Sequence, residues 1–189
     1  DGELQEQLLT AMADIHETLL DEPQSAITLH REILELDPTS KGALSALDRL
    51  FEKQSLWTDL ADNIGRQLAL ATDPDEQTAL MLSLANLRET RMGAADASIE
   101  IHRDVLGRDP SNEAALAALE RLLATPAHQP VITEILEPIY RDANEFQKLI
   151  GVHEIQAQHA SAPERRVELL HRIAELYEIA LDATPKAFE

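Results

Sequence analysis

The sequence predicts an all-α chain of repeated helical hairpins, about ten to eleven helices with no strand. Three observations predict it. Shifting the 189-residue chain by 72 aligns Leu8–Leu50 with Leu80–Leu122 without a gap, and sixteen of the 43 aligned positions are identical. Apolar residues recur at spacings of three and four, as in Leu8, Leu9, Met12, Ile15 and Leu19, the period of one buried helical face. Helix punctuation is equally regular, with Asp-Pro at Asp37-Pro38 and again at Asp109-Pro110, where proline cannot continue the preceding helix.

A third copy starts at a further shift of 89. Leu8, Ala13, Ile15, Glu17 and Ala26 then correspond to Leu169, Ala174, Leu176, Glu178 and Ala187. The other half of the unit follows the same shift, with Trp57 on Phe146, Leu60 on Leu149 and Pro74 on Pro163. The second unit is longer than the first by 17 residues, the difference between 89 and 72, about one extra helix. The chain therefore reads as one solenoid over 1–189, with repeat units near 4–74, 75–162 and a truncated 163–189. Helices are expected near 4–20, 23–36, 40–53, 55–71, 75–91, 94–107, 111–124, 130–142, 144–160 and 163–181, with an eleventh beginning at Pro185. The DPDE stretch at 73–76 offers Asp73 as N-cap and Pro74 at the first helical position. SAPE at 161–164 reads as a capping box with Ser161 at the N-cap.

Composition agrees with helix packing. There is no cysteine, hydrophobic content is 44% and aromatic content only 3%. Without cysteine there is no disulfide framework or thiolate metal site. No stretch approaches the roughly eighteen apolar residues of a membrane span. The net charge is −19, a surface that repels phosphate backbones and so argues against nucleic acid or an anionic membrane. Such charge either keeps a helical protein in solution or attracts basic partners. The chain begins with Asp1 and has no signal-like segment, as an excised fragment would, which leaves the compartment open with the cytoplasm favoured.

The pairs LLTAMADIHETLLDEPQSAITLHREILELDP and LMLSLANLRETRMGAADASIEIHRDVLGRDP resemble tetratricopeptide repeats. Ala13 and Ala85 stand at the small position of the first helix, Ala26 and Ser98 at that of the second, and Pro38 and Pro110 close the repeat. RIAELYEIALDATPKAF keeps Ala174, Tyr177 and Ala187. The departures are a loop one residue longer between paired helices, Ile33 or Val105 at a second small position, and the extra helix. The resemblance implies a right-handed α-α superhelix whose concave face is lined by the first helix of each pair. It also implies that His30 and His102 are packing residues, at the usual large position of the second helix.

Catalytic or metal chemistry finds little support. HEIQAQH at 153–159 falls short of a zincin motif, because His153 and His159 are six apart and diverge by roughly 120° on a helix. Glu168 and His171 form a Glu-x-x-His pair, but a di-iron site needs a second pair and two further glutamates. No cofactor and no enzymatic activity are expected. Glu17, Glu89 and Glu178 recur in three copies on the first helix of each pair, and Asp14, Asn86 and Glu175 recur beside them. With the family's geometry these six form a ladder of carboxylates and amides along the groove, able to accept basic side chains or backbone amides. Solvated helix positions duplicated along with the repeat would give the same pattern. The expected role is a protein-interaction scaffold binding a protein or peptide, a basic one being the natural choice. A structural spacer with end-to-end self-association, or a regulatory segment of a larger protein, are the alternatives.

Overall fold

The computed structural model describes residues 2–180, and ten α-helices succeed one another with no strand among them. They are α1 (Gly2–Thr18), α2 (Pro23–Leu36), α3 (Lys41–Lys53), α4 (Trp57–Leu70), α5 (Pro74–Thr90), α6 (Ala95–Arg108), α7 (Glu113–Leu122), α8 (Gln129–Asp142), α9 (Phe146–His159) and α10 (Pro163–Glu175). A π-helical turn, Leu176–Ala180, continues α10. The helix expected from Pro185 and the small residue Ala187 lie outside the described residues. The chain divides into two compact units, Asp1–Ser98 and Ile99–Glu189, with the boundary in the sequence of α6.

Within the first unit the helices pack on their chain neighbours, α1 on α2, α2 on α3, α3 on α4 and α4 on α5. The second unit repeats the rule with α7 on α8, α8 on α9 and α9 on α10. Such nearest-neighbour packing is how single hairpins, too small to bury their own apolar faces, share a continuous core. Ala13 and Ala26 lie at the α1–α2 contact with no exposed surface, and Ala85 and Ser98 are equally closed. Small side chains there let helix axes approach closely. Ile27, Ile33, Leu47 and Leu50 fill the first unit, and Leu119, Ile132, Leu136 and Ile150 the second. Each is worth roughly 1.5–3 kcal/mol by burial.

The turns repeat as faithfully as the helices. Asp37 accepts from the Thr39 backbone N–H at 2.9 Å and its hydroxyl at 2.7 Å. Asp109 holds Ser111 in the same way, at 3.0 and 2.7 Å. Those bonds hold the Asp37 carboxyl below its ordinary range. The aspartate of each Asp-Pro thus fastens the turn, while the proline ends the helix. Left-handed residues recur too: Asp21 (φ 52°) stands 72 residues before Gly93 (φ 64°), and Ser55 (φ 57°) 89 before Asn144 (φ 56°).

These turns explain where helix starts differ from expectation. The expected starts at 55 and 144 fall on left-handed residues that close the preceding helix, so α4 and α9 begin at Trp57 and Phe146. Asp109 keeps Ser111 in a turn, and Asn112 caps α7 by accepting from the Ala115 N–H at 3.0 Å. Asp73 caps α5 as expected. SAPE is not a capping box: Pro163 occupies the first turn, Ala162 is the N-cap, and no side chain bonds there. The motif is one residue out of phase, which leaves Ser161 outside the helix.

Candidate functional site

Three helices build a cleft in the first unit. Asp48 and Glu52 come from the last turns of α3, Trp57, Leu60 and Ile64 from α4, and Ser83, Asn86 and Leu87 from α5. Its volume is about 300 Å³. In the second unit a cleft of about 610 Å³ is lined by Glu137 and Arg141 of α8, Phe146, Leu149 and His153 of α9, and Arg172, Glu175 and Leu176 at the end of α10. Each of these eight residues stands 89 positions after one lining the first cleft, so the structure makes the same cleft twice.

One buttress recurs beneath both clefts. Gln67 on α4 donates from Nε2 to Asp48 at 2.6 Å, and Gln156 on α9 donates to Glu137 at 2.8 Å. Asp48 also accepts from buried Asn63 at 2.8 Å. Each bond ties the acid of one helix to the next, so these carboxylates are fixed rather than free to swing. Glu120 on α7, the 72-residue counterpart of Asp48, accepts from the Tyr140 hydroxyl at 2.6 Å and Lys148 Nζ at 2.9 Å. Tyr140 and Lys148 hold its carboxyl below the usual range; burial first, then Glu120, push the Tyr140 hydroxyl up.

The clefts differ in charge. The first carries two carboxylates, Asp48 and Glu52, and Arg91 stacked 5.1 Å over the Trp57 ring. Glu52 and Asn86 have no side-chain partner among the described residues, and both are exposed. The second pairs two carboxylates with two guanidiniums. Arg172 binds Glu168 at 2.7 Å and reaches Glu137 at 3.6 Å. Arg141 bonds its chain neighbour Asp142 at 3.2 Å.

The six residues of the expected ladder fall into different surroundings. Asn86 and Glu175 line the two clefts. Asp14 and Glu178 are exposed, and Glu89 is half-buried. Glu17 is taken by an ion pair with Arg49 of α3, which leaves its side chain only 8% exposed. The π-helical turn between Glu175 and Glu178 also widens a spacing that is α-helical between Asp14 and Glu17. Arg31 reaches Asp59 of α4 at 2.5 Å and lies over Phe51 of α3. The ring of the neighbouring helix pair draws it away from its own helix.

His30, His102 and His153 are buried. Neither ring nitrogen of His30 has a hydrogen-bond partner among the described residues. Burial pulls its pKa below the ordinary value, against the pull of Asp14 and Glu17 and with the help of Arg49. His153 meets Gln156 at 3.2 Å, whereas His159 meets Gln129 at 2.7 Å, so the two histidines serve different contacts. The Glu168 carboxylate is occupied by Arg165 and Arg172. Among the described residues no group of three or more His, Cys, Asp or Glu is placed to hold a metal ion, and no helix is long and apolar enough to cross a membrane.

The periodicity did not reveal the clefts, because their lining mixes three helices at unrelated local spacings. A signal was present in the 89-residue shift, which carries Gln67 onto Gln156 and Asp48 onto Glu137. Arg49 was equally marked, since the 72-residue shift that joins Glu17 to Glu89 joins Arg49 to Arg121.

No family model matches the chain. It is similar to cellulose synthase 1 operon protein C of Komagataeibacter xylinus, 32% identical over 110 residues, which are 56% of this chain and 8% of that protein. The chain thus matches a small part of that relative's length. Among solved structures it is similar to a thermophilic TPR protein of Thermus thermophilus, at 16% identity and a TM-score of 0.32, covering 92% of this chain and all of that one. The class rests on the chain's own hairpins, with alanines closed at their crossings and turns repeated bond for bond: this is an all-α chain of repeated helical hairpins.

Proposed function

We propose that the chain is a non-enzymatic interaction scaffold that binds a segment of a partner protein along its acidic groove. The observation that carries this is the cleft made twice. Its walls and buttress are kept while its charged residues change, as a surface does when it reads different parts of a partner. The first cleft, with Glu52 and Asn86 unengaged on its walls, suits a basic side chain. Asp14, Asn86, Glu89, Glu175 and Glu178 belong to the same reading, with Asn86 and Glu175 as the rungs nearest the clefts, whereas Glu17 is held by Arg49. Trp57 is the single tryptophan and so reports the first cleft alone. Titration with an eight-residue peptide of alternating lysine and glycine should change its emission. Glu52→Gln should weaken that binding by about three- to fivefold, as expected for one exposed charge pair, and added salt should weaken it further. An unchanged emission, or binding indifferent to Glu52, contradicts the reading.

A second reading, self-association, is favoured by α1. Leu4, Leu8 and Leu19 are 71%, 60% and 76% exposed and share a stripe with Met12 and Ile15. Leu80, Leu84 and Leu87, the counterparts of Leu8, Met12 and Ile15, lie on α5, which packs against α4. An apolar stripe of this size is an association surface. Sedimentation of the wild type against Leu8→Glu/Leu19→Glu tests it: a dimer lost in the variant supports self-association, and a wild-type monomer removes it.

A further inference from the structure

We infer that the second cleft is a docking site for a bulky apolar side chain of a partner peptide with a carboxylate beside it, the apolar group on Phe146, Leu149 and Leu176 and the carboxylate on Arg141. The inference rests on reading the clefts as binding surfaces and says what the second one selects.

Three substitutions between equivalent positions carry it. Where the first cleft has Glu52, the second has Arg141, a reversal of charge on the same wall. The only ion-pair partner of Arg141 among the described residues is Asp142, the next residue, and the Arg141 side chain stays 61% exposed. A guanidinium so placed keeps donors for an incoming carboxylate, which it grips at two points. The second substitution is at the floor. Trp57 lies under Arg91, but the residue 89 positions after Arg91 is the uncharged Ala180. Phe146 is only half-buried, and the cleft around it has about twice the volume of the first.

The third substitution disposes of the competing charges. Arg172 replaces Ser83 and is spent on Glu168 and Glu137, and Gln156 also holds Glu137. Arg172 and Glu137 therefore neutralise one another at the cleft wall. Glu175 remains on the far wall, on α10, with no ion pair among the described residues. An incoming carboxylate is thus drawn to the α8 side, where Arg141 stands, and repelled from the α10 side. The apolar floor between the walls takes the neighbouring side chain, and burial there supplies most of the affinity.

The test uses the full chain and three end-blocked eight-residue peptides, Gly-Ser-Gly-Phe-Glu-Gly-Ser-Gly, its Glu-to-Lys version and its Phe-to-Ala version. Amide shifts in proton–nitrogen NMR are followed on titration. The Phe-Glu peptide should move the Arg141, Phe146 and Leu149 signals and bind at least fivefold more tightly than either other peptide. Arg141→Glu, at an exposed position, should keep the helical circular dichroism and turn the preference toward the Phe-Lys peptide. Equal affinity for the Glu and Lys peptides, or a preference untouched by Arg141→Glu, overturns the proposal. Trp57 emission with the lysine–glycine peptide separates the two failures: if it still responds, the clefts bind and only the selectivity assigned to the second is wrong.

Discussion

Arg49 of α3 holds the Glu17 carboxylate of α1 in an ion pair that leaves the glutamate side chain 8% exposed. A residue that recurs in three copies and looks like a rung of a binding ladder is, in the first copy, a clasp between successive hairpins. Cutting one partner of a largely covered pair leaves the other uncompensated. Because Arg49 itself is well exposed, Glu17→Ala should cost a moderate amount, about 1–2 kcal/mol. Urea unfolding followed by Trp57 emission measures it, and Glu17→Ala/Arg49→Ala should cost less than the sum of the single changes.

His30 makes the first hairpin sensitive to acid. Its folded pKa lies below 6.5 because burial disfavours the charged ring, outweighing Asp14 and Glu17. The folded state therefore binds fewer protons than the unfolded one. Its stability is whole above pH 6.5 and declines as pH falls from there toward the folded pKa. His30→Leu removes two unpartnered ring nitrogens and should flatten this dependence while leaving the protein equally stable or about 1 kcal/mol more stable near pH 7. Thermal unfolding from pH 7.5 to 5 checks both.

Asp21 adopts a left-handed conformation at the position that the second copy gives to Gly93. A side chain there costs roughly 1–2 kcal/mol, partly recovered because aspartate tolerates the region better than most residues. Asp21→Gly should raise stability by up to about 1 kcal/mol, and Gly93→Asp should lower it by a similar amount. Denaturation midpoints of the two variants measured side by side decide this.

The glutamine buttress should matter to fold and cleft alike. Asp48→Ala leaves the Gln67 amide, and one bond of buried Asn63, without an acceptor. The expected cost is about 1–3 kcal/mol, together with faster hydrogen exchange in α4. Asp48→Asn, which keeps an acceptor oxygen, should recover at least half of it.

Helices and turns were legible in the sequence because each rests on a local cause. Apolar spacing gives the buried face of α2, and Asp37-Pro38 gives the turn between hairpins; in α1 the same spacing misled, because Leu8, Met12, Ile15 and Leu19 are exposed and only Ala13 is closed. What escaped local reading depends on residues far apart in the chain. Arg49 meets Glu17 across 32 positions, and Arg31 meets Asp59 across 28. SAPE misled because proline fits both the first and the second position of a helix. The clefts draw on three helices apiece, so only comparison of one repeat with the next exposes them. Asn86 and Glu175 were found by that comparison, whereas Glu52 and Arg141 were passed over because their charges are opposite.

Proton–nitrogen NMR of the full chain maps where the lysine–glycine peptide lands. The shifted amides should cluster around Glu52, Trp57 and Asn86, and Glu52→Gln should diminish them. Shifts gathered instead on the apolar stripe of Leu4, Leu8 and Leu19, or spread evenly over the acidic surface, would contradict binding in the first cleft.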